Sequence, residues 1–180
     1  MTPEQRTDEP ERRLEERPRR ESRHNAREAA VQMLYQWEVG KLSMLDVMST
    51  YWTFRGPQSA MADPDPSNAD MRTADSESLS PDSGELREFA TALTTGVAAS
   101  LERIDPLIAD AAEHWRIERM AVMDRIILRL AVYEFLEQPE TPVRVIINEA
   151  LELARTFSTD DAVRFINGIL DGIRRKLTRE

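Results

Sequence analysis

Hydrophobic residues recur at intervals of three and four along most of the chain, which is the spacing of one face of an α-helix. In the first such segment Ala26, Ala30 and Leu34 fall on one face, and Gly40 is the expected end of the helix. No segment alternates with a period of two over a length that would indicate a strand. The pattern predicts an all-α fold of about seven helices, at about 23–39, 42–54, 85–101, 105–115, 120–136, 142–157 and from 158 to about 173.

Residues 120–136 are apolar nearly all round the helix, which predicts the buried centre of a helical bundle. The charged exceptions Asp124, Arg125 and Arg129 lie close together on the helical wheel. They therefore mark one edge that is expected to meet water or a docking partner. Two helix starts are also predicted, with Asp105 and Ser158 as N-caps.

Two stretches lack any apolar period. Residues 1–22 mix Glu and Arg and are predicted to be a disordered charged tail. Residues 56–84 draw 17 of their 29 members from Gly, Pro, Ser and Asp, which predicts a disordered acidic insertion. An interdomain linker is the alternative, but the patterned stretch before it is too short for a core of its own. We therefore expect one helical domain over 23–180 that the insertion interrupts.

Composition narrows the classes of function. The chain has no cysteine, which excludes disulfide scaffolds, thiol nucleophiles and cysteine-ligated metals. It has neither an apolar run that could span a membrane nor an apolar secretory segment at its N-terminus, so a cytoplasmic protein is expected. The formal net charge of −9 argues at first against a nucleic-acid partner, because Lys and Arg drive binding to phosphates.

The charge, however, is unevenly distributed. Residues 56–84 carry −5, whereas 17–27 carry five Arg against one Glu. Arg20, Arg23, His24 and Arg27 have the spacing i, i+3, i+4, i+7 and are predicted to form one solvent-facing stripe. Such a stripe suits single-stranded RNA, since guanidinium groups pair with phosphates and stack on bases. The alternative is a solvated helix end whose arginines pair with nearby Glu residues.

Other chemistry is missing from the sequence. The two His residues lie in separate predicted helices, and the six Gly form no phosphate-binding loop. The acidic residues are expected to cap helices or to lie on solvated faces. We therefore predict no catalytic residue, no metal and no cofactor.

Three segments resemble the NusB family of transcription antitermination factors. They are RHNAREAAVQMLYQWEVG (23–40), DRIILRLAVYEFL (124–136) and TPVRVIINEALELARTFSTDDAVRFINGILDGI (141–173). They occur in the order and spacing of the family, and the resemblance covers most of the chain outside 1–22 and 56–84. Those two segments depart from the family, whose core has a shorter connection after its second helix.

The resemblance implies a helical bundle of two subdomains that is not an enzyme. It implies binding to a single-stranded boxA element in ribosomal RNA leaders, together with the ribosomal protein NusE, within an antitermination complex on RNA polymerase. The residues that it places at the RNA are Arg20, Arg23, His24, Arg27, Asp161 and Phe165. Those that it places at NusE are Tyr35 and Asp124, and the polar edge of 120–136 adds Arg125 as a partner residue.

Two other functions fit the residues. The chain could be a helical RNA-binding module like the one that precedes the catalytic domain in some RNA cytosine methyltransferases. It could also be a helical scaffold that binds only proteins, and the sequence leaves open whether it forms a homodimer.

Overall fold

The computed structural model describes residues 9–55, 82–113 and 115–177. Within these ranges the chain forms seven α-helices, one 3-10 turn and no strand, which confirms the predicted all-α fold. The helices are α1 (Glu9–Gly40), α2 (Met44–Arg55), α3 (Asp82–Ala99), α4 (Leu101–Ala111), α5 (Val122–Glu137), α6 (Val143–Phe157) and α7 (Asp160–Leu177), and the 3-10 turn is Ile117–Arg119.

Helix α1 begins at Glu9, earlier than the predicted start at Arg23. Residues 9–22 of the expected disordered tail are therefore helical, and residues 1–8 lie outside the described residues. Glu and Arg dominate this stretch and are good helix formers, and Pro10 lies in the first turn, where proline is tolerated, whereas Pro18 inside the helix opposes it. Apolar periodicity missed this start because residues 9–22 have no apolar period. Of the predicted insertion 56–84, only the last three residues are described, and they begin α3.

The predicted start of the fourth helix is wrong. Helix α4 begins at Leu101 and contains Pro106, whereas Asp105 was expected to cap it. Ile104 and Ile108, four residues apart on one face of α4, are both fully buried, so the buried face of the helix begins before Asp105. The Asp105 carboxylate instead accepts two hydrogen bonds of 2.8 Å from Arg129.

Helix α5 is the centre of the larger core, as its apolar sequence predicted. Six consecutive or near-consecutive apolar side chains are buried, namely Ile126, Ile127, Leu128, Leu130, Ala131 and Val132. A second, smaller cluster joins α1, α2 and α3 through Ala26, Ala29, Met33, Val47, Tyr51 and Ala90. Helix α1 contributes to both clusters, which agrees with the expected bundle of two subdomains.

Helices α1 and α5 run antiparallel. Arg27, just past the middle of α1, pairs with Glu134 near the end of α5, whereas Glu38 near the end of α1 pairs with Arg125 near the start of α5. The C-terminal half of α1 therefore lies along α5 in the opposite direction, and the middle of α1 lies beside the start of α6. None of the described helices has the length and apolar character needed to cross a bilayer.

Candidate nucleic-acid interface

The predicted basic stripe lies on α1, and Arg23 is exposed as expected. Its guanidinium carbon lies 5.3 Å from the centroid of the Phe89 ring, a cation–π distance that leaves the charge available. No ion pair to Arg23 occurs among the described residues, so the side chain can meet an external anion. Arg20 lies one turn earlier in the helix, but its side chain is not among those that the structure describes.

Arg27 does not face solvent, and this part of the prediction is wrong. Only 3% of its side chain is exposed, and its Nε and Nη2 donate to the two carboxylate oxygens of Glu134 at 2.8 and 2.7 Å. Burial alone would lower the pKa of Arg27, but the hydrogen bond and charge of Glu134, with the charge of Glu149, raise this pKa above its ordinary value. The i, i+4, i+7 spacing to Val31 and Leu34 places Arg27 on the buried face of α1.

His24 is half-buried and is held between carboxylates from two helices. Its Nδ1 lies 2.9 Å from Oε2 of Glu149 on α6, and its Nε2 lies 3.6 Å from Oε1 of Glu28 on α1. The imidazole therefore links α1 to α6 beside the exposed Arg23. Of the predicted stripe, Arg23 is thus the described side chain that is open to a ligand.

A cleft of about 530 Å³ lies between α1 and the start of α6. Its walls bring the exposed side chains of Arg144 and Asn148 to the same space as Arg23. Arg144 has no ion pair among the described residues, and the Asn148 amide can donate and accept hydrogen bonds. Sequence reasoning missed both residues, although an outward Arg and Asn at i, i+4 on an amphipathic helix were a detectable signal.

The predicted RNA residues on α7 lie at the other end of α6. Asp161 is exposed in the first turn of α7, where its negative charge interacts favourably with the positive end of the helix dipole. Phe165 is half-buried against the larger core, and its ring meets Trp115 edge to face with centroids 5.9 Å apart. Thr159, rather than the predicted Ser158, caps α7, because its hydroxyl accepts from the Ala162 amide at 3.3 Å.

The predicted partner residues Tyr35 and Asp124 differ in their surroundings. Tyr35, near the end of α1, is 42% exposed and can contact another protein. Asp124, in the first turn of α5, is half-buried, and its carboxylate accepts a hydrogen bond from the Ser158 hydroxyl. Both side chains are therefore accessible to a partner protein, but Asp124 also joins α5 to the end of α6.

The predicted polar edge of α5 is wrong for its two arginines. Only 12% of the Arg125 side chain is exposed, and its Nε donates to Glu38 at 2.9 Å. Arg129 is 11% exposed at its side chain and pairs with Asp105 and with Glu38. Each charge therefore has a partner inside the bundle, which removes the cost that a buried unpaired charge would carry. Arg125 stabilises the contact between α1 and α5 and is not an open docking residue.

The described residues offer no metal centre. Within the ranges 9–55, 82–113 and 115–177, no three His, Asp or Glu side chains are gathered so that they could hold a metal ion. His114, one of the two histidines, lies outside the described residues. The chemistry available at the site is therefore that of guanidinium, amide and aromatic groups.

Comparison with known proteins identifies relatives over nearly the whole chain. The NusB family model matches residues 24–175. The transcription antitermination protein NusB of Koribacter versatilis (strain Ellin345) is 42% identical over 159 residues, which are 88% of this chain and 92% of the relative.

Solved structures share the fold. The NusB structure from T. maritima is 28% identical, with a TM-score of 0.64 over 85% of this chain and 90% of that one. A chain in the crystal structure of antitermination factors NusB and NusE in complex with dsRNA has a TM-score of 0.65 and 18% identity over 87% of this chain and 98% of that one. With a family match that covers most of its length and a relative of this identity, the chain belongs to the NusB family.

Proposed function

We propose that the chain binds boxA-type single-stranded RNA in ribosomal RNA leader transcripts, together with the ribosomal protein NusE. In this proposal the pair acts in the cytoplasm, within an antitermination complex on RNA polymerase. The protein itself is an antitermination factor of the NusB family, and membership of that family confirms the prediction that it is not an enzyme.

The observation that carries the RNA proposal is the cleft between α1 and α6. It presents two guanidinium groups that have no ion pair among the described residues, Arg23 and Arg144, and the Asn148 amide. Guanidinium groups pair bidentately with phosphate oxygens, and an amide can read a base edge that a single strand leaves unpaired. The neighbouring carboxylates of Glu134 and Glu149 both contact Arg27, so they repel an incoming phosphate less. Glu140 is the carboxylate of the lining that has no ion pair among the described residues.

A solved relative supports the choice of partners. The complex of NusB and NusE with dsRNA contains both a second protein and an RNA. That RNA is double-stranded, whereas the Asn148 amide at the cleft suits a single strand with accessible base edges. A duplex competitor therefore distinguishes the two kinds of RNA.

The predicted contact residues are revised by their surroundings. We propose that Arg20, Arg23, His24, Asp161 and Phe165 belong to the RNA surface. Arg27 positions α1 without touching RNA. Tyr35 and Asp124 are the proposed NusE residues, and Arg125 acts only through the fold.

Fluorescence anisotropy with a labelled boxA-type oligonucleotide tests RNA binding. If about four phosphates are neutralised, log K should fall with log salt at a slope of about −3, and Arg23→Ala should reduce the slope by about 0.7. Arg175→Ala is the matched control, because this exposed arginine at the end of α7 pairs with Asp171, outside the cleft. Equal slopes for Arg23→Ala and wild type, or competition by duplex as strong as by single strand, would contradict the proposal.

The NusE contact is tested separately by titrating NusE onto RNA-free protein. Asp124→Lys should abolish association, because it reverses a charge at the proposed interface. Asp124→Asn is the control, since an amide can still accept the hydrogen bond from Ser158. Normal complex formation by the folded Asp124→Lys variant would remove Asp124 from the interface.

A further inference from the structure

The aromatic side chain of Trp115 is exposed to solvent beside α7. The helix α4 ends at Ala111, and a residue with positive φ, Glu113 at 46°, turns the chain away from the helix axis. Trp115 was expected inside the helix but follows this turn, and 57% of its surface is exposed. The free part of the indole offers a large, flat apolar surface that a ligand can cover.

Phe165 holds this tryptophan in place. The two rings meet at 64° with centroids 5.9 Å apart, and Phe165 in turn packs on the larger core. An aromatic ring anchored in this way keeps its orientation when its remaining surface is free. The half-buried Phe165 therefore orients the indole, and the more exposed Trp115 presents the larger free surface to a ligand.

The surroundings of Trp115 are cationic and concave. A cleft of about 690 Å³ runs beside it, within the size range of small-molecule sites. Arg116 and Arg119 line this cleft, are exposed, and have no ion pair among the described residues. Of the two acidic groups in the lining, Asp105 is paired with Arg129, which leaves Glu118 as the carboxylate without such a partner.

We propose that Trp115 stacks on a base of single-stranded RNA while Arg116 and Arg119 neutralise the adjoining phosphates. An aromatic platform with flanking arginines is the usual combination for single strands, because every base has a π-face and every nucleotide carries a phosphate. Phe165 is a positioning residue in this arrangement. The inference rests on the proposed function and extends the RNA surface from the α1–α6 cleft to the α4–α5 connection.

A variant with Trp115 as its only tryptophan gives the direct measurement. Trp37→Phe and Trp52→Phe remove the other two indoles, which are half-buried, and the Trp52 Nε1 has no hydrogen-bond partner to lose. Adding a boxA-type single strand should quench the remaining fluorescence, because a stacked base shields and quenches the indole. If RNA binds by anisotropy without quenching Trp115, the inference is overturned.

Affinity variants test the same contact in the otherwise native chain. Trp115→Ala should weaken binding about 5- to 150-fold, as expected for loss of one stacked base, and Trp115→Phe should keep most of the affinity. Thermal unfolding of each variant serves as the folding control. Unchanged affinity of Trp115→Ala overturns the inference while leaving the proposed function intact, whereas absence of binding by wild type overturns both.

The NusE titration separates RNA from protein at this position. Trp115→Ala should leave the affinity for NusE unchanged in the absence of RNA. If this variant binds RNA normally and loses NusE, Trp115 contacts the protein partner and the inference is wrong.

Discussion

Removing the Glu134 carboxylate should destabilise the protein strongly, because it leaves a charged guanidinium in the core. The side chains of Arg27 and Glu134 are only 3% and 2% exposed and are joined by two hydrogen bonds of 2.8 and 2.7 Å. Breaking a buried ion pair from one side costs about 3–5 kcal/mol. For a chain of this size that loss lowers the melting temperature by about 6–20 °C.

A double replacement distinguishes this cost from simple loss of packing. In Arg27→Met with Glu134→Leu, neither charge remains, and apolar groups of similar volume fill the space. Glu149, which lies 3.5 Å from Arg27, keeps its contact with His24 at 2.9 Å. We therefore expect the double variant to lie within about 2 kcal/mol of wild type.

Urea unfolding of wild type, the two single variants and the double variant gives the coupling energy. A loss below about 1 kcal/mol in Glu134→Leu, or a double variant as unstable as the sum of the singles, would refute the argument. The result also decides how RNA assays are interpreted. Weak RNA binding by Arg27→Ala would reflect a damaged fold, so Arg23→Ala alone is the informative variant for RNA contact.

Two further predictions concern other helices. Gly96→Ala should destabilise the protein by about 1–3 kcal/mol in urea unfolding, because the new methyl group would overlap the Tyr133 hydroxyl and ring. Gly168→Ala has open space around it and should instead stabilise α7 by about 0.5–1 kcal/mol. A Gly168→Ala variant less stable than Gly96→Ala would contradict both expectations. A hydrogen bond from Arg174, with smaller contributions from its neighbour in the last turn of α7, lowers the pKa of Asp171 below 3.8. The stabilisation from this depressed pKa is present above pH 3.8 and is lost as the pH falls through the folded-state pKa. Asp171→Asn should therefore reduce the acid sensitivity of unfolding below pH 3.8, and an unchanged profile would exclude this ion pair as its source.

Apolar periodicity predicted most of the fold because burial imposes it. The central position of α5 followed from its apolar surface, and the structure buries that surface. Two helix starts were predicted wrongly. The start of α1 at Glu9 lies in a stretch without apolar period, and Asp105 resembled a cap although its carboxylate binds Arg129.

The site was predictable only where a charge stayed on the surface. Arg23 is exposed as its helical position predicted. Arg27 and Arg125 were expected at the surface as well, but their partners Glu134 and Glu38 lie 107 and 87 residues away in the sequence. A helical wheel cannot show a counter-charge on a distant helix, and such a partner decides whether an arginine can be buried.

These internal ion pairs also explain how an acidic chain can present a binding surface for an anion. Along α1 and α6, the Arg27 guanidinium pairs with Glu134 and lies 3.5 Å from Glu149, which also contacts the His24 imidazole, so these carboxylates contribute less to the field outside. Among the described residues that line the α1–α6 cleft, Arg23 and Arg144 are guanidinium groups without a carboxylate partner, and Glu140 is a carboxylate without a cationic partner. The potential that a phosphate meets there is therefore set by two open positive charges against one negative charge. The formal charge of −9 describes the chain as a whole and not this surface, because it counts carboxylates that the fold has already paired. Since the same pairs hold α1 against α5 and α6, the contacts that place Arg23 at the cleft are also those that remove competing negative charge from it.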